Sequence, residues 1–182
     1  MSEIELKFLL DELTSSQLGV RAKALKLVTG RPKTRTLKSI YLDTPDHALK
    51  KAGMALRLRR DGRRWIQTVK TKPEQHGGLS QVGEVENPAP GGRLCLEAIP
   101  DAAVREEVVR RVNGAPLEFV CETVIRRSAS ELSLEDGTRA ELAIDIGEIH
   151  AGARSAELHE LEIELHRGQP GRTVRHCTST VS

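Results

Sequence analysis

Apolar and charged residues alternate along much of this chain with a period of two. In Glu3-Ile4-Glu5-Leu6-Lys7-Phe8 the charges fall on odd positions and the apolar side chains on even ones. Successive side chains of an extended strand point to opposite faces, so the pattern predicts a strand with one charged and one apolar face. It returns in segments 55–59, 66–70, 84–86, 141–145 and 160–165. Asp61-Gly62 and Asp136-Gly137 separate strand patterns and read as hairpin turns, because Gly accepts a positive φ at little cost.

Three helices are predicted among the strands. Thr14 and Gln17 form a capping box opening a helix that reaches about Leu27, with Leu18, Ala22 and Leu25 on one stripe. Thr44-Pro45 through Gly53 has an N-cap, Pro at the first position and a terminal Gly, so it reads as a short helix. Asp101 opens a third, with Val104, Val108 and Val112 spaced by four and a stop at Asn113-Gly114. Segments 71–80 and 87–93, rich in Gly, Pro, Lys and Gln, read as loops, with His76 an ordinary solvated residue in the first. Beyond residue 167 no period survives, so one domain is expected over 1–168 with an irregular tail over 169–182. Many antiparallel strands with few helices predict an α+β domain, closed as a barrel or strongly curved.

Composition narrows the chemistry. The chain's 182 residues suit one ordinary domain, and 28 Lys plus Arg against 26 Asp plus Glu leave a net charge of +2. Duplex binding needs a basic excess that is missing here. Trp65, Tyr41, Phe8 and Phe119 are all the aromatics, too few to stack a single strand, so no nucleic-acid partner is expected. Cys95, Cys121 and Cys177 show no paired spacing, which fits a reducing cytoplasm and no structural zinc. No apolar run reaches membrane-spanning length, so no membrane partner is expected. A homodimer is compatible with the sequence and not dictated by it.

The charged faces are segregated by sign. Glu160, Glu162 and Glu164 make a purely acidic stripe, while Arg57 and Arg59 make a purely basic one. Like charges side by side repel, and solvated surfaces usually intersperse signs. Such stripes make sense facing one another across a lumen. That lumen must hold water, metal ions or a charged ligand, since unpaired charges in a dry interior cost several kcal/mol each. Carboxylate clusters suit a hard divalent cation, Mg²⁺ foremost with Mn²⁺ as an alternative. Arg grips phosphate through two parallel hydrogen bonds and Lys acts as a point charge. His159 and His166 fall on opposite faces and suggest no zinc site. Gly77-Gly78 and Gly91-Gly92 lack the Gly-Lys-Ser/Thr helix opening of a phosphate loop.

These residues resemble the CYTH superfamily, the triphosphate tunnel metalloenzymes. Glu3-Ile4-Glu5-Leu6-Lys7 matches its ExExK signature. The likeness continues through Tyr41-Leu42-Asp43-Thr44-Pro45, Gly53-Met54-Ala55-Leu56-Arg57-Leu58-Arg59-Arg60 and Gln67-Thr68-Val69-Lys70. It ends through Glu84-Val85-Glu86, Glu122-Thr123 with Arg126-Arg127, Leu142-Ala143-Ile144-Asp145 and Glu160-Leu161-Glu162-Ile163-Glu164. The resemblance implies an eight-stranded antiparallel β-barrel, with helices packed outside. It implies Glu3, Glu5, Glu160, Glu162 and Glu164 as metal ligands, and Arg57, Arg59, Lys70 and one of Arg126 or Arg127 as triphosphate ligands. Glu84 and Glu86 would line the tunnel, Lys7 would contact phosphate oxygens, and Asp145 would hold a second metal or orient water. Of the arginine pair, the family's spacing favours Arg127.

The ALRLRR, QTVKT and RR segments are most similar to the bacterial inorganic triphosphatase branch. The implied activity is Mg²⁺-dependent hydrolysis of inorganic triphosphate to pyrophosphate and phosphate. Phosphoryl transfer spreads charge over phosphate oxygens, so such a tunnel works mainly by positioning and neutralisation. Two alternatives stand beside it. One is another triphosphate-using enzyme, an adenylyl cyclase or thiamine triphosphatase; the scarcity of aromatics argues against its ring pocket. The other is a polyphosphate-binding module without catalysis. The family's C-terminal amphipathic helix has no counterpart in GQPGRTVRHCTSTVS.

Overall fold

A computed structural model describes residues 2–11, 17, 28–71, 74–76, 79–134 and 137–167. Apart from Gln17, the helix predicted over 14–27 lies outside the described residues, as do the turn residue Asp136 and the tail over 169–182. Nine strands follow in order: β1 (Ser2–Leu9), β2 (Val28–Asp43), β3 (Ala55–Asp61), β4 (Arg64–Lys70) and β5 (Glu74–His76). Then come β6 (Leu79–Pro88), β7 (Glu118–Ser133), β8 (Arg139–Ala151) and β9 (Arg154–Arg167). Two α-helices, α1 (Ala48–Lys51) and α2 (Ala102–Val112), complete the described set with short 3₁₀ turns.

The strands pair antiparallel in the order β1-β9-β8-β7-β2-β3-β4-β6-β5, and β1 also pairs with β6. That last pairing closes eight strands into a ring. β5 follows β4 along the same edge of β6: Lys70 stands opposite Glu84, and Glu74 opposite Gln81. The two together form one interrupted wall, so the eight-stranded antiparallel barrel holds.

Alternation sorts the side chains. Leu56 and Leu58 point away from the face carrying Arg57 and Arg59, and Leu6 of β1, Leu142 and Ile144 of β8, and Leu161 and Ile163 of β9 do the same. Leu6, Leu142, Ile144, Leu161 and Ile163 form one buried cluster on the outside of the ring. Leu56 and Val69 form another with Leu49 of α1 and Val108 and Val112 of α2. Fully burying each such side chain stabilises by about 1.5–3 kcal/mol. The cores lie outside the ring, which frees its interior for charge.

Local sequence explains most element ends. The Asp101 carboxylate accepts the Val104 N–H at 3.0 Å, and Asn113 at φ 46° ends α2. Gly62, at φ 60°, turns β3 into β4 as predicted. Three expectations need correction. The helix predicted from Thr44 starts at Ala48, after His47 at φ 58°. Buried Asp43 collects the N–H groups of Thr44, Leu49 and Lys50 at 2.8, 2.9 and 3.0 Å, wrapping 44–47 into a turn first. Segment 71–80 is not one loop: 74–76 and 79–80 pair as strand, and His76 stands opposite Leu79. In 87–93, the first two residues end β6 and only the remainder leaves the sheet. Gly and Gln there suggested loop, but ladder pairing to β4 and β1 overrides local preference.

Candidate active site in the charged lumen

The ring encloses a cavity of about 330 Å³. β1 contributes Glu5 and Lys7, β3 Arg57 and Arg59, β4 Lys70, and β6 Glu84 and Glu86. Across from them β7 supplies Arg127, β8 Asp145, and β9 Glu160, Glu162 and Glu164. Seven carboxylates thus face five cations among the described residues, a formal excess of two negative charges. The acidic and basic stripes look at one another across one space, as sign segregation predicted. Glu3 stands opposite Val82 of β6 in the ladder, and its side chain lies outside the described residues.

Arg126 is the exception. It is exposed on the outer face, because neighbours on a strand point oppositely and Arg127 takes the inward position. Register explains why Arg127 matters: it stands directly opposite Asp145 in the β7–β8 ladder. Its Nε and Nη2 donate to the two Asp145 oxygens at 2.8 and 2.6 Å, and Nη2 also reaches Glu162. This two-pronged grip fixes Asp145, which is 1% exposed.

The other charges are paired by the same cross-strand logic. Lys7 stands opposite Glu162 and approaches Glu160 at 2.8 Å and Glu162 at 3.0 Å. Lys70, opposite Glu84, meets it at 2.7 Å, while Arg57 reaches Glu84 at 3.1 Å and Glu86 at 3.6 Å. Buried Arg57 nevertheless leaves its Nε without a hydrogen-bond partner among the described residues. Arg59 differs again. Among the described residues it has no carboxylate partner; its Nε donates to the Ser39 hydroxyl at 3.3 Å.

Charge crowding shifts proton affinities. Burial, then the neighbouring Arg57 and Arg127 guanidiniums, lower the Arg59 pKa to about 10. Burial pulls Lys7 down, but Glu162 and Glu160 outweigh it and raise its pKa. Burial likewise opposes Arg127's charge, yet Asp145 and Glu162 raise its pKa. Burial pushes Glu162 up, and Arg127 and Lys7 reverse that to leave it lowered. Glu5 is raised, chiefly by burial, with Lys70 opposing and Glu162 adding to the rise.

Carboxylate oxygens of Asp145, Glu160 and Glu162 converge to within 4.8 Å of one another. An all-oxygen, anionic donor set of that size fits a hard divalent cation. The grouping puts Asp145 beside two of the expected metal ligands, because it stands opposite Glu160 in the ladder. Glu5 and Glu164 stand opposite each other one step away along the bore.

Sequence reading overlooked the uncharged members. Tyr41, Thr123, Ile125 and Leu158 also line the cavity, and Thr68 and Ser39 lie fully buried beneath the arginines. Thr68 was accessible to inference, since the Asp61-Gly62 turn sets Arg57 opposite Thr68. Its hydroxyl accepts from Arg57 Nη2 at 3.2 Å and donates to Glu86 at 2.9 Å. Ser39 comes from β2, which carries no clean alternation.

A family model for the CYTH domain matches residues 1–173. The chain belongs to the CYTH domain family. This CYTH domain is 27% identical over 172 residues to the inorganic triphosphatase of Haemophilus influenzae. That match covers 92% of this chain and 46% of the relative, so the chain spans about half its length. Among solved structures, a Hippeastrum protein reported to have a dominant triphosphatase activity superposes with TM-score 0.63 at 19% identity. It covers 97% of this CYTH domain and 85% of that chain. A Bacillus halodurans protein named for adenylate cyclase follows at TM-score 0.59 and 25% identity, covering 98% and 85%. The fold of the CYTH domain is therefore common to proteins named for different triphosphate chemistries.

Proposed function

We propose that this CYTH domain is a metal-dependent triphosphatase that hydrolyses inorganic triphosphate to pyrophosphate and phosphate. The observation that carries the reading is the facing of Arg57, Arg59, Lys70 and Arg127 by a convergent carboxylate group across one polar bore. The relatives named for triphosphatase activity support it.

In this reading Arg57, Arg59 and Lys70 bind the triphosphate, with the unpartnered Arg57 Nε offering one donor directly. Lys7 and Arg127 neutralise phosphate oxygens near the carboxylates they now contact. Asp145, Glu160 and Glu162 would hold Mg²⁺ or Mn²⁺, and Glu3, Glu5 and Glu164 would serve a second ion; the metal would supply neutralisation of phosphate charge and acidification of water. Arg127 keeps Asp145 oriented beside the attacking water, whose proton passes to solvent. The water oxygen bonds to the terminal phosphorus, and the bridging P–O bond breaks with its electrons leaving on pyrophosphate. Glu84 and Glu86 hold Arg57 and Lys70 in place until the substrate arrives.

A second reading, an organic triphosphate substrate, is favoured by one feature. A cavity of about 410 Å³ opens beside the bore at Trp65, Ile66 and Pro88, and shares Glu86 with it. One panel separates the readings: phosphate release from inorganic triphosphate, ATP and thiamine triphosphate, with Mg²⁺ and with chelator. Inorganic triphosphate is expected to turn over fastest, and only with metal. Faster turnover of an organic triphosphate reverses the preference, and tight binding without any turnover leaves a polyphosphate-binding module.

A further inference from the structure

Ser39 is 0% exposed, carries no charge, and stands directly opposite Arg59 in the β2–β3 ladder. Its hydroxyl accepts a hydrogen bond from Arg59 Nε at 3.3 Å. A guanidinium donates from one Nε–H and from two terminal nitrogens, so this bond fixes the planar group while both Nη groups have no hydrogen-bond partner among the described residues. Arg57, Lys70, Lys7 and Arg127 are each held instead by at least one carboxylate. Their charge is already partly compensated, and an incoming anion must compete with that partner.

We propose that Ser39 is a positioning residue for anion binding: its small neutral hydroxyl aims Arg59 into the bore without compensating its charge. The proposal rests on the triphosphate reading above. It follows from two physical facts. A carboxylate at position 39 would pair with Arg59 across the ladder and cancel the field offered to phosphate. A bulky side chain would fill the space beneath the guanidinium, since the site is closed. Burial and the charges of Arg57 and Arg127 oppose the Arg59 charge, and Tyr41 and Glu84 offset them only in part. A protein built only for stability would place an acid beside it, and this one places a serine. A half-buried charge with no carboxylate in direct contact, set next to paired ones, gains most when a polyanion arrives.

The test compares Ser39→Asp, Ser39→Ala and Ser39→Thr with the unaltered chain, and takes Arg59→Ala as reference. Calorimetric binding of tripolyphosphate, KM and kcat, and the melting temperature without ligand are measured for each. Ser39→Asp should raise KM and Kd about 100-fold, matching Arg59→Ala, while kcat changes little. Hydrogen bonds to charged groups contribute about 1.5–3 kcal/mol, and tenfold is about 1.4. Its ligand-free melting temperature should rise, because Arg59 gains a counter-ion. Ser39→Ala should weaken binding about tenfold, and Ser39→Thr should restore it. A merely structural serine predicts the opposite pattern: lower melting temperatures and unchanged Kd. Ser39→Asp with unaltered Kd overturns the proposal, and if that variant does not fold, an unaltered Kd in Ser39→Ala does so. If the unaltered chain itself binds no tripolyphosphate, the functional reading fails and this proposal with it; the two failures are thus distinct.

Discussion

Glu162 sits between Lys7 and Arg127 and beside Glu160, and it is the residue through which the bore's charge is balanced. Burial raises its pKa, the two cations more than reverse this, and its folded value is lowered below the ordinary 4.5. A carboxylate lowered on folding contributes stability that is present above the unfolded pKa and lost as pH falls through the folded one. Between neutral pH and about pH 3, the unaltered chain should therefore lose more stability than Glu162→Gln, whose neutral amide does not titrate. Urea midpoints at the two pH values measure this; equal losses would sink the assignment of Glu162 as the acid-sensitive member. Glu5 works in the opposite sense. Its raised pKa gives a contribution present below 4.5 and lost as pH rises through the folded value, so it softens the acid limb. At this scale sequence carried far: parity alone puts Glu5 with Lys7, Arg57 with Arg59, and the three glutamates of β9 on common faces. It could not rank Arg59 apart from Arg57, since partners come from other strands.

The elements were legible where their two faces differ in chemistry. In β4 Ile66 shares a face with Lys70, whereas β1, β3, β8 and β9 separate charge from aliphatic side chains and announce themselves by period two. β2 and β7, each 16 residues long, do not, and 31–36 of β2 is exposed throughout. There the ladder to β7 alone holds residues 33–36, and β3 joins only from Leu37 onward, so pairing holds the strand without a contrast of faces. The short α1 shows a local signal redirected by one side chain. Asp43, 5% exposed, satisfies three backbone N–H groups and so sets where the helix begins. Asp43→Ala strands those donors beside a buried cluster. It should lower unfolding free energy by about 2–3 kcal/mol while leaving kcat per folded molecule near its original value. Chemical denaturation checks the first expectation and active-fraction titration the second. A selective loss of kcat with unchanged stability would move Asp43 from structure to chemistry. Gly147 makes a related point in β8. A Cβ there would come within 2.1 Å of the Val124 carbonyl oxygen, so the close approach of β7 demands glycine.

At the scale of the molecule, the fold inverts the usual barrel. Aliphatic cores lie outside the ring, under α1 and α2 on one flank, and charges occupy the interior. With five cations against seven acids, the interior is nearly balanced and pairs internally. Metal and anion together can then displace those pairs and bridge walls that the backbone already joins. Ligand binding to the folded state stabilises by mass action, about 2.7 kcal/mol at a hundredfold excess over Kd. For a chain of this length that corresponds to a melting shift of about 5–10 °C. Mg²⁺ with a slowly hydrolysed triphosphate analogue should produce that shift, and Arg59→Ala should remove most of it. No shift in the unaltered chain at saturating concentrations would argue against any triphosphate in the bore.

The sequence by itself determined which side chains share a face, because a strand's period is a property of the single chain. It also determined that acids and bases were sorted by sign, and so that some strands must oppose others. Only the tertiary structure decided which acid meets which base. Register and ring closure set Arg127 against Asp145, Lys7 against Glu162, and Ser39 beneath Arg59. Those pairings depend on the stagger between strands far apart in sequence, and no local pattern encodes a stagger.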